Sequence, residues 1–160
     1  APVGGISAGD IIAPPQIVST GLPFCITVVR DRATLEGLKF DPDAFAGYCA
    51  HIGQDRSDMM DPYWITLEGA ASGDTYGRLL MAPPSPPEDP FTGSATGAAA
   101  AFLWARGLIT SPKYTAEQGH GMGRPGQAQV EVLGPPDAIT GVKVSGRGVV
   151  VMSGQAYLPG

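Results

Sequence analysis

The sequence predicts a single α/β domain, rich in sheet and organised around one buried helix. Three observations carry this. Glycine and proline supply 39 of the 160 residues, roughly twice the usual share, and that much turn chemistry favours strands joined by sharp corners over a helical bundle. Apolar, β-branched and alternating runs occur on both sides of the chain's middle, the pattern of strands. Between them, Ser94–Arg106 holds six alanines with Phe102, Leu103 and Trp104. A segment apolar nearly all the way round is a buried helix rather than a surface one.

Residues 1–16 are rich in Gly, Ala and Pro and read as a linker-like lead-in, with one domain over 17–160. Leu22–Arg30 is apolar and β-branched between Gly21 and Asp31, and predicts a buried strand. Short helices follow around Ala33–Leu38 and Asp43–His51, the second capped by Asp41 or Asp43. Pro62–Glu68 and Thr75–Met81 predict two more strands, with Gly73 and Asp74 in the turn. Five prolines within Ala82–Pro90 predict a rigid loop, because the segment beyond is too apolar to begin a separate domain. Gly107 and Pro112 then end the central helix. Gln127–Leu133, Val142–Val144 and Val149–Met152 complete the outline as strands.

Composition bounds the partners. The net charge is −5 and only 16% of residues are charged. With no basic stripe, neither nucleic acid nor an anionic membrane surface is an expected partner. No run approaches the roughly 18 apolar residues of a membrane span. Cys25 and Cys49 form no paired-cysteine metal spacing, and the N-terminus lacks a signal-peptide layout. A soluble cytoplasmic protein is expected.

One segment invites chemistry. Glu88-Asp89-Pro90-Phe91-Thr92-Gly93-Ser94-Ala95 leads into the buried helix. The unsatisfied N–H groups and partial positive charge of a helix N-terminus attract anions. Gly93 allows close approach to the backbone, Ser94 adds a hydroxyl, and Asp89 stands where a carboxylate could move a proton beside a bound acid. The alternative is structural: Asp89 or Thr92 caps the helix and nothing more. Gly121-Met122-Gly123-Arg124-Pro125-Gly126 matches G-x-G-x-x-G, but Pro125 and the alternation beyond it deny the helix that a dinucleotide site requires, so a tight turn is expected. His51 and His120 lack metal partners at useful spacing. His120 reads as solvent-exposed rather than cleft-lining, and Cys25 as a small core hydrophobe.

Three stretches in this order, Val18–Phe24, Glu88–Ala95 and Gln118–Gly126, followed by paired strands and a Gly-Gln-Ala-Tyr-Leu-Pro end, resemble the C-terminal half of the PhzF-like (phenazine biosynthesis) isomerase family, which has the diaminopimelate-epimerase-like fold. The resemblance covers about residues 17–160. It implies a curled mixed or antiparallel sheet wrapped around one central apolar helix. It also implies two such halves with the active site between them, and proton transfer beside a carboxylate without cofactor or metal. By this similarity Asp89 is the acid/base, and Thr92, Gly93 and Ser94 bind a small carboxylated substrate. The half that carries the family's catalytic glutamate has no counterpart here, and Thr92 stands where related racemases have a thiol, which argues against two-thiol racemisation. The chain is therefore expected to pair, either with itself as a homodimer or with a complementary N-terminal half. A non-catalytic binding or sequestering module and an inactive fragment of a longer enzyme are the rival readings.

Overall fold

The computed structural model describes residues 2–52 and 61–157. Eight strands are present among them: β1 (Gln16–Ser19), β2 (Pro23–Val28), β3 (Pro62–Thr66), β4 (Thr75–Leu80), β5 (Glu88–Asp89), β6 (Lys113–Gln118), β7 (Gly126–Leu133) and β8 (Gly141–Ser145). Three α-helices accompany them: α1 (Arg32–Glu36), α2 (Pro42–His51) and α3 (Gly93–Ala105). The sheet runs β1-β2-β3-β4-β6-β7-β8, with β5 paired to β4 off the main path. The β2–β3 and β4–β6 pairs are parallel and the others antiparallel. Each parallel step needs a helical crossover. Helices α1 and α2 serve the first, and α3 serves the second.

The sheet curls around α3. That helix packs against β1 and β2 from one end of the sheet and β7 and β8 from the other. A Cβ on Gly97 would lie 3.0 Å from Thr20 Oγ1, just past β1, and 3.8 Å from Val144 in β8. Small side chains make this possible: Ala95, Ala98, Ala99 and Ala100 are fully buried, so neighbouring strands approach the helix axis closely. Phe24, Ile26 and Val28 of β2, Ile65 of β3 and Val130 and Val132 of β7 complete this core. A second cluster on the outer face gathers Val29, Leu35, Leu38, Trp64, Tyr76 and Leu80. Two 3₁₀ turns, Pro2–Gly4 and Ala8–Asp10, precede β1, and Val3 and Ile6 pack on that outer cluster.

Two sequence expectations change. Val149–Met152 forms no strand; its side chains are 85–89% exposed. Apolar β-branched residues favour extended backbone, but a strand exists only with a pairing partner, and among the described residues this segment has none. Cys25 is half-buried rather than a core residue. Successive side chains on a strand face opposite ways, and it is Phe24 and Ile26 that enter the core around α3.

Candidate active site

Asp89, Thr92, Gly93 and Ser94 come together in the turn from β5 into α3. Strand pairing fixes where that turn begins, since Asp89 lies opposite Leu79 and Glu88 opposite Leu80. Glu88 is held by Arg78 through two hydrogen bonds, Nε to Oε1 at 3.0 Å and Nη2 to Oε2 at 2.7 Å, with both side chains nearly buried. The same guanidinium donates from Nη1 to the Leu35 and Glu36 carbonyls at the end of α1. Paired planar forks of this kind set geometry as well as energy. The partnership with Glu88, outweighing burial, raises the Arg78 pKa above its ordinary value.

The start of α3 departs from ordinary capping. Thr92 occupies the N-cap position, yet its side chain accepts from no helix amide. Its hydroxyl instead donates to Asp89 Oδ2 at 2.6 Å. The structural alternative raised by the sequence, a cap by Asp89 or Thr92, is therefore not what these side chains do. Gly93 and Ser94 are exposed, and a Cβ on Gly93 would meet nothing within 4 Å. Helix-start N–H groups left open in this way are suited to an anion.

Behind the turn sits Gln118, fully buried at the end of β6. Its Oε1 accepts from the Thr92 amide at 3.1 Å and the Tyr63 hydroxyl at 3.3 Å. Its Nε2 donates to the Asp89 carbonyl at 2.8 Å and Thr92 Oγ1 at 3.1 Å. Burial pushes the Tyr63 phenol up to about 12, and the Asp89 charge adds to the shift, so Tyr63 remains a neutral donor near pH 7. Gly77 makes room for it: a Cβ there would collide with the Tyr63 ring and hydroxyl.

A cleft of about 990 Å³ opens beside the helix start, with Phe91, Gly93, His120, Gln127 and Arg147 in its lining. Of the four residues singled out from sequence, Gly93 reaches this lining; Asp89, Thr92 and Ser94 do not. His120 was expected in solvent. It is half-buried instead, edge-on to Tyr76 at 5.5 Å between ring centroids, because the Gly121 amide bonds the Tyr76 hydroxyl at 3.1 Å and draws the loop inward. The G-x-G-x-x-G stretch is the tight turn expected, a 3₁₀ turn at His120–Met122 flanked by left-handed Gly119 and Gly123. Sequence reading missed Gln118, Tyr63 and Arg147. The available signal was Gln118 itself, an amide heading a glycine-rich motif at a position where a strand should turn inward.

A second polar centre lies at the same end of β6, on the opposite face of the strand from Gln118. Glu117, 1% exposed, accepts from the Ala71 and Ser72 amides at 2.9 and 3.2 Å and from Gln127 Nε2 at 2.7 Å. Burial pushes its carboxyl up, but these bonds and those from the Gly73 and Ala70 amides outweigh it and hold the group below its ordinary value. Among the described residues no group of three or more His, Cys, Asp or Glu side chains is arranged to hold a metal ion, and no helix is long and apolar enough to cross a membrane.

The model of the phenazine biosynthesis-like protein family, PhzC-PhzF, matches residues 4–154. The chain belongs to this family. Among curated relatives of the chain, an uncharacterised isomerase of Deinococcus radiodurans is 31% identical over 145 residues, covering 88% of this chain and 45% of that protein. One of Clostridium acetobutylicum is 29% identical over 149 residues, 89% and 47% of the respective lengths. The chain thus spans about half the length of the curated relatives it matches. A solved structure described as a predicted epimerase of Pseudomonas aeruginosa superposes with a TM-score of 0.66 at 26% identity, over 96% of this chain and 51% of that one. A PhzF-family protein of Bacillus anthracis gives 0.69 at 23% identity, over 82% and 45%, a likeness of fold. The curled sheet around α3 is accordingly a diaminopimelate-epimerase-like half, as the motifs implied. By name, the two curated relatives are isomerases and the Pseudomonas aeruginosa structure is a predicted epimerase.

Proposed function

We propose that this chain forms one wall of a cofactor-independent isomerase that moves a proton on a small carboxylated substrate. The observation that carries the reading is the start of α3, where open amides at Gly93 and Ser94 adjoin a carboxylate anchored by the Thr92 hydroxyl. A substrate carboxylate would be held by those amides and the Ser94 hydroxyl, supported by the positive end of the helix dipole. Thr92 would shape the site through its bond to Asp89. Asp89 would take a proton from carbon beside the substrate carboxylate, and a group across the cleft would return one at another carbon. Fixed amides facing developing negative charge need no rearrangement during reaction, which is how such sites lower barriers. The second wall would come from a companion half or a second copy of the chain, and the reaction would belong to cytoplasmic biosynthesis.

A second reading, a binding module without chemistry, is favoured by the cleft lining, which Gly93 reaches and Asp89 does not. One experiment separates them. Citrate titration of the isotopically labelled chain should shift the Gly93 and Ser94 amides under either reading, and unmoved amides would remove the anion clamp. Incorporation of solvent deuterium into carboxylated substrates by the chain joined to a companion half is expected only of the isomerase.

A further inference from the structure

We propose that Gln118 is a positioning residue that orients the Thr92 hydroxyl and thereby divides the labour of the two Asp89 carboxylate oxygens. The argument is one of donors and acceptors. A glutamine side chain has two donor hydrogens and two acceptor lone pairs, and Gln118, with no exposed surface, uses all four. Its orientation is settled by main chain on both sides: the Thr92 N–H can only donate, so it faces Oε1, and the Asp89 carbonyl can only accept, so it faces Nε2. The second Nε2 hydrogen then points at Thr92 Oγ1. That oxygen is occupied as an acceptor, so its own hydrogen is directed to Asp89 Oδ2. The chain of bonds runs one way, from buried amide to hydroxyl to carboxylate. Among the described residues no hydrogen bond reaches Oδ1. Oδ2 is therefore the anchored atom and Oδ1 the one free to exchange a proton with a ligand.

The backbone around Gln118 is built for this contact. Gly119 follows it with φ of 82°, and a Cβ there would collide with the Pro90 and Arg124 carbonyl oxygens. Only glycine lets β6 end against the Asp89–Thr92 turn in this conformation. The Gln-Gly pair thus joins two sequence motifs 26 residues apart, from Thr92 to Gln118.

The positioning of the carboxylate stands by itself, and only the role given to Oδ1 rests on the proton-shift reading. The test is a spectroscopic one on the isotopically labelled chain. The Thr92 hydroxyl proton should exchange with water at least ~10-fold more slowly than an unbonded hydroxyl, the factor expected of one hydrogen bond to a charged group. Replacing that proton by deuterium should shift the Asp89 carboxyl carbon resonance. Gln118→Glu puts an acceptor where the donor was, so the hydroxyl turns to it and the Asp89 isotope shift is lost. Gln118→Met removes the donors without adding charge and lowers the exchange protection about fivefold. Thr92→Ser should keep both signatures. Folded Gln118→Glu and Gln118→Met chains with undiminished protection and isotope shift would overturn the proposal. So would a wild-type chain without the isotope shift, a result that depends on no variant folding. If the signatures hold but Asp89→Asn retains deuterium incorporation in the two-half enzyme, the proton-shift reading fails separately.

Discussion

The two helical crossovers of this sheet begin their helices in opposite ways. In the first, Asp31 caps α1 by accepting from the Thr34 amide at 2.7 Å, and Asp41 caps α2 by accepting from the Asp43 and Ala44 amides at 3.0 and 2.9 Å. In the second, the Thr92 side chain makes no such bond and points to Asp89 instead. Both sequences carry suitable capping residues, so residue type does not explain the difference. What differs is the surroundings: Asp31 and Asp41 have helix amides as near partners, whereas Thr92 is claimed by a buried glutamine behind it. A polar residue at a helix start is structural when it bonds the helix. When it bonds away from the helix, the amides it leaves are open to a ligand.

The largest effect that would sharpen this contrast concerns Asp89. In an enzyme completed by a companion half, Asp89→Asn should reduce solvent-deuterium incorporation by about 100- to 10,000-fold, the usual worth of a positioned acid/base group. Citrate binding by the labelled chain should survive the change, since the amides remain. Incorporation at the wild-type rate would return Asp89 to a purely structural role.

Next comes the tether of the uncapped turn. Arg78→Met leaves Glu88 nearly buried and unpaired and releases the Leu35 and Glu36 carbonyls. A loss of about 3 kcal/mol is expected in denaturant unfolding, the scale of breaking one side of a buried ion pair. A cost below that of an exposed surface pair would mean that β5 is held by its two-residue ladder alone.

A smaller effect tests the capped helices. Asp41→Ala should cost about 1 kcal/mol, and Asp41→Asn much less, because asparagine caps as well as aspartate does. Thermal unfolding of the two variants side by side reads the difference. Equal losses would assign the contribution of Asp41 to its charge instead of its cap.

The smallest effect is a pH dependence. Glu117 has its carboxyl lowered in the folded chain by hydrogen bonds that outweigh burial. The stabilisation it contributes is fully present above the unfolded glutamate value of about 4.3 and is lost as pH falls through the lower folded value. Wild type should therefore lose stability across that acidic window more steeply than Glu117→Gln. Parallel curves for the two chains would assign the acid sensitivity elsewhere.

The central helix was legible because its signal is local and redundant: an alanine-rich run apolar on every face needs to be enclosed. Helix α2 was legible for the same reason, with Asp41 standing directly before it, whereas Asp31, read only as the end of a strand, also caps α1. Strand β6 was not, because Glu117 and Gln118 are buried polar residues that break the alternation by which half-buried strands are recognised. Apart from Gln127, the partners that satisfy their burial lie 26 to 55 residues away in sequence, which no local pattern contains. Strand β5, two residues long, exists only through its pairing with β4. Asp89, Thr92, Gly93 and Ser94 could be gathered from one motif, whereas Gln118 needed the fold to bring a second motif behind the first. Val149–Met152 misled in the other direction, since its composition is that of a strand and pairing is a property of neighbours.

The pairing of β5 has a consequence for how such a chain can change. Because Asp89 stands opposite Leu79, and the Met81 amide closes on the Pro87 carbonyl at 3.0 Å, the reach of the hairpin between them does not decide where the carboxylate sits. Residues 82–86 lie outside that ladder, and lengthening a surface loop costs little, about 0.6 kcal/mol for each doubling. Insertions there could remodel the surface around the hairpin without displacing Asp89. A single residue added between Pro87 and Asp89 would shift the register by one and turn Asp89 to the opposite face. The hairpin thus separates a tolerant segment from an intolerant one within a few residues, giving evolution or an engineer a place to vary the surface while the Asp89 register stays fixed.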